Sequence, residues 1–151
     1  VEGRVCAGDL RDPGLLPAGS FDLAVSNPPY FPAGGGKTAA GSRGIHRAEL
    51  ACTMEQLCAA AAYLLRSGGQ FCLVYRTERL AELMETLRRH RLEPKVLRFV
   101  QKNAASAPSL LLMACRKDGG TGLTVQPPLL LQNDDGTETP ELRRIYFKEK
   151  G

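Results

Sequence analysis

The hydrophobic positions of the chain fall into short runs of strand length, separated by polar or glycine- and proline-rich stretches. Runs of this kind, bounded by turn residues, are typical of strands buried in a sheet. They predict five strands, at residues 5–9, 21–26, 71–75, 95–100 and 109–116. Two weaker runs, at residues 123–126 and 129–132, follow a glycine-rich link and predict a small hairpin.

Between the strands, apolar residues recur at the three- and four-residue spacing of a helix that buries one face. The first predicted helix begins at Thr53, which forms a capping box with Gln56, and ends at Gly68-Gly69. The second covers about residues 78–91, and a short third helix is predicted within residues 139–150.

The order of these elements predicts the fold class. Strands alternating with helices indicate an α/β fold with parallel strands in its sheet. No helix separates the last two main strands, so we expect the final one to run antiparallel. The length is that of one domain, residues 1–151, within which residues 118–151 form a C-terminal extension made of the hairpin and the short helix.

The composition narrows the class of protein only slightly. The formal net charge of +4 is compatible with a polyanionic partner but is weaker than that of a dedicated nucleic-acid-binding domain. No apolar run is long enough to cross a bilayer, so we expect no membrane partner. The five cysteines include no C-x-x-C pair, which predicts no metal site and a reducing, cytoplasmic setting.

One tetrapeptide, Asn27-Pro28-Pro29-Tyr30, ends the second predicted strand, since neither proline can donate a ladder hydrogen bond. An exocyclic adenine amine is a poor nucleophile because its lone pair is delocalised into the ring. The amide oxygen of Asn27 and the carbonyl of Pro28 could accept hydrogen bonds from the amine and turn that lone pair towards a methyl donor. Tyr30, or Phe31, could stack on a flipped-out base. A simple strand-ending turn is the alternative interpretation.

The motif and its surroundings resemble the class I S-adenosylmethionine-dependent methyltransferases that contain an N-P-P-Y motif. Among them, the chain is similar to the bacterial family that methylates N6 of an adenine in the anticodon loop of a valine tRNA. The similar segments are residues 8–10, 21–31, 47–50, 64–69, 127–129, 139–142 and 145–146. The resemblance implies a Rossmann-like fold, S-adenosyl-L-methionine as the cofactor, and RNA, tRNA in particular, as the partner.

The resemblance also implies roles for individual residues on the acceptor side. Asn27-Pro28-Pro29-Tyr30 would be the catalytic motif. Tyr30, Phe31 and Arg47 would contact the substrate, although a solvated charge before a helix is the plainer interpretation of Arg47.

On the donor side, Asp9, Leu10 and Asn27 would bind the cofactor, with Asp9 at the adenine end of S-adenosylmethionine. The plainer alternative for Asp9 is that it accepts a hydrogen bond within its own loop.

The chain departs from that family in one respect. Class I methyltransferases bind the donor through a glycine-rich turn between the first strand and a helix. The one run of three glycines, Gly34-Gly35-Gly36, follows the catalytic motif instead, and the family's first two strand–helix units have no counterpart here. We therefore expect a sheet truncated at its N-terminus, and residues 1–151 that bind the cofactor weakly and are inactive alone. Its exposed sheet edge could pair two copies into a homodimer.

Two other functions stay open. Methyltransferases that act on a glutamine of translation release factors share the Asn-Pro-Pro-Tyr motif, although the pattern after the motif differs. A function of another class, a non-catalytic RNA-binding module, would use two groups of basic residues: Arg88, Arg89 and Arg91, and Arg143, Arg144, Lys148 and Lys150. Cations that favour the helix dipole are the plainer interpretation of the first group.

Overall fold

A mixed five-stranded sheet with two helices on one face organises the protein. The computed structural model describes residues 3–28 and 53–147. The elements in chain order are β1 (Phe21–Ser26), α1 (Met54–Leu64), β2 (Leu65–Arg76), a 3-10 turn (Thr77–Arg79), α2 (Leu80–Arg89), β3 (Leu92–Gln101), β4 (Leu110–Lys117), β5 (Thr124–Leu130) and α3 (Pro140–Ile145). No helix in these ranges is long and apolar enough to span a bilayer.

The strand order is β1-β2-β4-β3-β5. β1 pairs in parallel with β2, and β5 pairs in parallel with β3, whereas β4 lies between β2 and β3 and runs antiparallel to both. The other four strands therefore all point the same way, and we call the end of the sheet where they finish the carboxyl end. The predicted α/β fold and the reversed strand are confirmed. The reversed strand is β4, which lies between β2 and β3.

The core lies between the sheet and the helices α1 and α2. Cys58, Leu83 and Leu87 of these helices are completely buried. The strand residues that share this core with them are Leu65, Phe71, Leu73, Tyr75, Leu92, Leu97, Leu111, Met113 and Cys115. Burying each leucine contributes roughly 2 kcal/mol, so tertiary packing rather than helix propensity holds α1 and α2 in place.

The opposite face of the sheet is also apolar but is less covered. Side chains that alternate with the core residues, such as Cys72, Val74 and Leu112, line an open cavity of about 350 Å³ there. On β1, 53% of Leu23 and 73% of Val25 are exposed. Within residues 3–28 and 53–147, β1 is an outer strand of the sheet, and pairing of two copies through it stays a prediction.

The segment predicted as the first strand, residues 5–9, forms no strand and is exposed. A strand requires a hydrogen-bonded partner, and none of the described strands pairs with β1 on its outer side. This prediction is therefore wrong for the described part of the chain.

The C-terminal extension differs from the hairpin that the sequence predicts. The two apolar runs merge into the single strand β5, which pairs in parallel with β3. Pro127 and Pro128 lie inside β5, which is possible because it is the outer strand and its register with β3 shifts beside them. After β5 the chain turns back at residues 132–138, where Gln132 and Glu138 form an isolated antiparallel bridge. The hairpin prediction is wrong, whereas the short helix α3 is present.

The end of α1 also differs from the prediction, because Gly68-Gly69 lies within β2 rather than after a helix. At this point β2 bulges opposite Asp22 of β1, whose carboxylate accepts a hydrogen bond from Arg66. Gly68 has a φ of 79°, and a side chain at Gly69 would come within 2.9 Å of the Arg66 carbonyl oxygen. The two glycines serve a strand bulge, which needs the same backbone freedom as a helix end.

We expect Thr53→Ala to destabilise the protein by about 1 kcal/mol. Thr53 Oγ1 accepts a hydrogen bond from the Gln56 backbone N–H (3.2 Å), and Gln56 Oε1 accepts one from the Thr53 N–H (2.9 Å), as the predicted capping box requires. Urea unfolding followed by circular dichroism measures the loss. Thr121→Ala, at an exposed position before β5, is the matched control. Equal unfolding midpoints for the two variants would contradict the capping role.

Candidate active site

β1 brings the first two residues of the tetrapeptide motif, Asn27 and Pro28, to the carboxyl end of the sheet. Its pairing with β2 stops at Ser26, opposite Leu73, whereas β2 continues to Arg76. Asn27 is exposed and Pro28 is half-buried immediately after the last paired residue. In open α/β sheets, ligands bind at the carboxyl ends of the strands, and this is the end at which Asn27 and Pro28 lie.

Four of the predicted site residues lie outside the described part of the chain. Pro29, Tyr30, Phe31 and Arg47 all fall between residues 28 and 53. Their roles in catalysis and in substrate contact stay predictions.

Asp9 lies in the exposed loop before β1 and is bound by a neighbour two residues on. Arg11 Nε donates to both carboxylate oxygens at 2.9 Å, and the Arg11 backbone N–H donates to Oδ1 at 2.9 Å. The side-chain hydrogen bond and then the backbone one lower the pKa of Asp9 from 3.8 to about 2. The loop hydrogen bond is therefore present. Because a carboxylate has further lone pairs, the cofactor contact predicted for Asp9 stays a prediction.

Leu10, another predicted cofactor residue, lines a cleft of about 380 Å³ between this loop and α1. The side chains of α1 that face the cleft recur at helical spacing: Gln56, Ala59, Ala60 and Tyr63. Tyr63 Oη donates a hydrogen bond of 2.7 Å to the Pro13 carbonyl oxygen and so attaches the loop to the helix. The cleft thus has apolar walls with polar groups from Arg11, Gln56 and Tyr63, a combination that is typical of small-molecule sites.

The direction of α1 orients the cleft relative to Asn27. Since α1 lies between the end of β1 and the start of β2, its first turn, which includes Gln56, lies towards the carboxyl end of the sheet. The loop ends beside the last turn of α1, where the Gly19 N–H donates to the Tyr63 carbonyl at 2.9 Å. Asn27 does not line the cleft, so the structure does not bring Leu10 and Asn27 together in one cavity.

The sequence alone does not single out Gln56 or Tyr63 as site residues. In the sequence, Gln56 is recognisable only as part of the capping box, and nothing distinguishes Tyr63 from the other residues of the predicted helix. A signal does exist, because positions 56, 59, 60 and 63 share a face opposite the buried stripe of Leu57, Cys58 and Ala61. That signal is weak, since exposed helix faces commonly carry small or polar residues.

The basic residues at the end of α2 are all paired within the protein. The ion pairs are Arg88–Glu93 at 3.2 Å, Arg89–Glu55 at 2.8 Å, Arg89–Glu85 at 3.0 Å and Arg91–Asp118 at 2.9 Å. These arginines lie near the start of β3, at the end of the sheet opposite Asn27. Their geometry therefore favours a structural role over the phosphate contact that the sequence left open.

Comparison with known proteins bears on the fold. No family model and no curated protein matches the chain. A predicted O-methyltransferase from Agrobacterium tumefaciens superposes with a TM-score of 0.66 at 19% sequence identity, over 85% of this chain and 52% of that one. A candidate DNA modification methylase from Thermus thermophilus superposes with a TM-score of 0.50 at 19% identity, over 91% of this chain and 57% of that one.

The chain has the Rossmann-like fold of the class I methyltransferases. It spans little more than half of the length of these two structures. Fold alone does not determine function, so a function has to be argued from the site.

We expect Arg11→Ala to raise the pKa of Asp9 from about 2 towards 3.8, because the side-chain hydrogen bonds to the carboxylate are lost. Since the folded-state pKa lies below the ordinary value, the stabilisation from this pair is complete above about pH 3.8 and is lost as the pH falls through about 2. An NMR titration of the Asp9 carboxyl carbon measures the shift. Lys95→Ala, which removes a cation bound to the Gly120 carbonyl, is the control. An unmoved Asp9 titration in Arg11→Ala would contradict this assignment.

Proposed function

We propose that the protein transfers a methyl group from S-adenosyl-L-methionine to the N6 amine of an adenine in RNA, tRNA in particular. The observation that carries the proposal is the position of Asn27 and Pro28, immediately after β1 at the carboxyl end of a methyltransferase-type sheet. An amide oxygen and a carbonyl oxygen at that place are the acceptors that an exocyclic amine requires.

The acceptor chemistry follows from those two groups. Asn27 Oδ1 and the Pro28 carbonyl accept hydrogen bonds from the two N6 protons, which directs the nitrogen lone pair away from the ring plane and towards the donor. Tyr30 stacks on the flipped base. S-Adenosylmethionine supplies an electrophilic methyl group. A bond forms between N6 and the methyl carbon as the sulfur–carbon bond breaks, and N6 then loses one proton to water. Positioning is the main catalytic device.

The proposed binding site for the methyl donor is formed by the loop before β1 and by α1. The Thermus thermophilus protein has been crystallised in complex with S-adenosyl-L-methionine, and its TM-score with this chain is 0.50. In the present protein, Asp9, Leu10 and Asn27 are the proposed cofactor contacts. The cleft beside Leu10 has a volume of about 380 Å³ and a polar group from Gln56, which suits the adenine end of the cofactor.

We expect residues 1–151 on their own to bind S-adenosylmethionine weakly, because their sequence has no glycine-rich turn between a strand and a helix to hold the methionine and ribose. Isothermal titration calorimetry of the 151-residue chain measures the dissociation constant. Binding in the low micromolar range would show that the cleft beside Leu10 and the motif suffice, and would refute this expectation.

Methyl transfer is tested with the protein in the length that its gene encodes. We expect labelled donor to modify adenine N6 in tRNA, and Asn27→Ala to lower the rate by about 10²–10³-fold, the usual effect of removing one preorganised hydrogen-bonding group. Asn133→Ala, in the turn after β5, is the matched control and should retain most of the rate.

The same experiment separates the competing acceptors. Mass spectrometry of the modified nucleoside distinguishes N6-methyladenosine from other products. Label on a release-factor glutamine, or on DNA but not RNA, would overturn the choice of substrate, and an Asn27→Ala protein of full activity would overturn the role of the motif. Circular dichroism of each variant checks that the fold is intact.

A further inference from the structure

We propose that the C-terminal end of α3 and the residues after it, Arg143, Arg144, Tyr146 and Phe147, form a surface that contacts an unpaired stretch of the RNA substrate. We call these four residues the α3 surface. The inference rests on the proposed function, since it assigns a second contact point to the same substrate. Its partner is a single-stranded or loop segment of RNA, recognised through phosphates and exposed bases.

The charge of the α3 surface is available to a partner. Arg143 and Arg144 are exposed, and neither forms an ion pair within 4 Å among residues 3–28 and 53–147. The acidic residue of the same helix, Glu141, is bound by Arg98 through two hydrogen bonds of 2.7 and 2.8 Å, and Arg144 attracts it only from beyond ion-pair distance. The arginines at the end of α2, in contrast, are all held by carboxylates. Unpaired cations gain the most from neutralising phosphate, because no internal partner has to be displaced.

The apolar side chains of this segment are exposed. The exposed fraction is 49% for Ile145, 65% for Tyr146 and 87% for Phe147. A helix dipole explains why arginines lie in the last turn of a helix, but it does not explain why two aromatic rings follow them in solvent. Exposed aromatic rings beside arginines are the arrangement with which proteins bind single strands, since rings stack on bases while cations contact phosphates.

The position of α3 relates the α3 surface to the candidate active site. Thr139, at the start of α3, donates through Oγ1 to the carbonyl oxygen of Leu130, the last residue of β5, at 2.6 Å. The helix therefore starts at the carboxyl end of the sheet, and its six residues extend only about 9 Å from there. Four strand spacings, about 19 Å, separate β5 from β1 along that end. A folded RNA stem–loop can bridge this distance, whereas a single nucleotide cannot.

Several contacts attach the first turn of α3, and with it the backbone of the α3 surface, to the sheet. Arg98 connects α3 to the sheet, because it binds Glu141 and also donates through Nε to the Pro127 carbonyl at 2.9 Å. The Arg98 hydrogen bonds lower the pKa of Glu141. The acidic turn with Asp134 and Asp135 precedes the helix, at the end opposite the α3 surface. A contact surface fixed on the scaffold in this way loses little conformational entropy when it binds.

RNA affinity measured against salt concentration tests the charge of the α3 surface. The probes are a stem–loop RNA with an adenine-containing loop and a fully paired RNA of the same length. Removal of two phosphate contacts on a single strand should lower the slope of log affinity against log salt by about 1.4. We expect this for Arg143→Gln/Arg144→Gln. The matched control, Arg88→Gln/Arg91→Gln, removes the same charge at the opposite end of the sheet and should leave the slope unchanged.

Stacking is tested with Phe147→Ala, which should weaken binding of the stem–loop by between about 5-fold and 100-fold, as expected for one lost base–aromatic contact. Binding of the paired RNA should change little, because its bases are not free to stack. Phe147→Tyr keeps an aromatic ring and should restore most of the affinity. Equal losses for both RNAs, or no rescue by tyrosine, would contradict stacking.

The outcomes for the α3 surface and for the proposed function can be told apart. If tRNA methylation depends on Asn27 but the two α3 variants bind RNA like the unmodified protein, the α3 surface is refuted and the proposed function stands. If the α3 variants lose RNA affinity but no methyl transfer is found, the α3 surface stands and the proposed function fails. A protein without measurable affinity for either RNA refutes the α3 surface.

Discussion

The pairing of β2 on both of its sides is the interaction on which the rest of the structure depends. On one side it holds β1 in parallel, and on the other it holds β4 in the reversed direction, through which β3 and the C-terminal extension are attached. Helix α1 runs directly into β2 without an intervening loop. The register of β2 therefore determines three things together: how far along the sheet Asn27 lies, where α1 lies, and how β4 is aligned. The Gly68-Gly69 bulge allows one strand to satisfy these requirements, since it takes up the extra residues opposite Asp22.

The main elements could be predicted from the sequence because their signals are local. The capping box at Thr53 and Gln56 marks the start of α1, and the apolar residues of α2 recur at helical spacing. The prolines after Asn27 end β1 for a reason that needs no tertiary information. The signals that failed are ambiguous by nature: glycine pairs permit a helix end or a strand bulge equally, and apolar runs interrupted by Pro127 and Pro128 suggest two strands where an outer strand can tolerate both.

The candidate site, too, could be predicted from the sequence only in part. The place of Asn27 follows from the length of β1 and from the rule for ligands in open α/β sheets, so sequence and structure agree on it. The cleft beside Leu10 depends on how one exposed loop folds against α1, through the hydrogen bond from Tyr63 to Pro13, and no local pattern encodes that contact. The sequence also could not predict which arginines form ion pairs. Both groups, Arg88, Arg89 and Arg91 on the one hand and Arg143 and Arg144 on the other, are basic clusters at the end of a predicted helix. Only the fold decides which of them find carboxylates.

The strand order has a consequence for the path by which the protein folds. β3 and β4 are joined by the eight residues 102–109, so their pairing requires the closure of a short loop and is expected to form early. β1 pairs with β2 only after residues 27–64 have been closed into a loop. Closing this longer loop costs more conformational entropy than closing the loop between β3 and β4. We therefore expect Asn27 to reach its place in one of the last steps of folding. A chain that had condensed around β2, β3 and β4 would already be compact before the candidate site at Asn27 had formed.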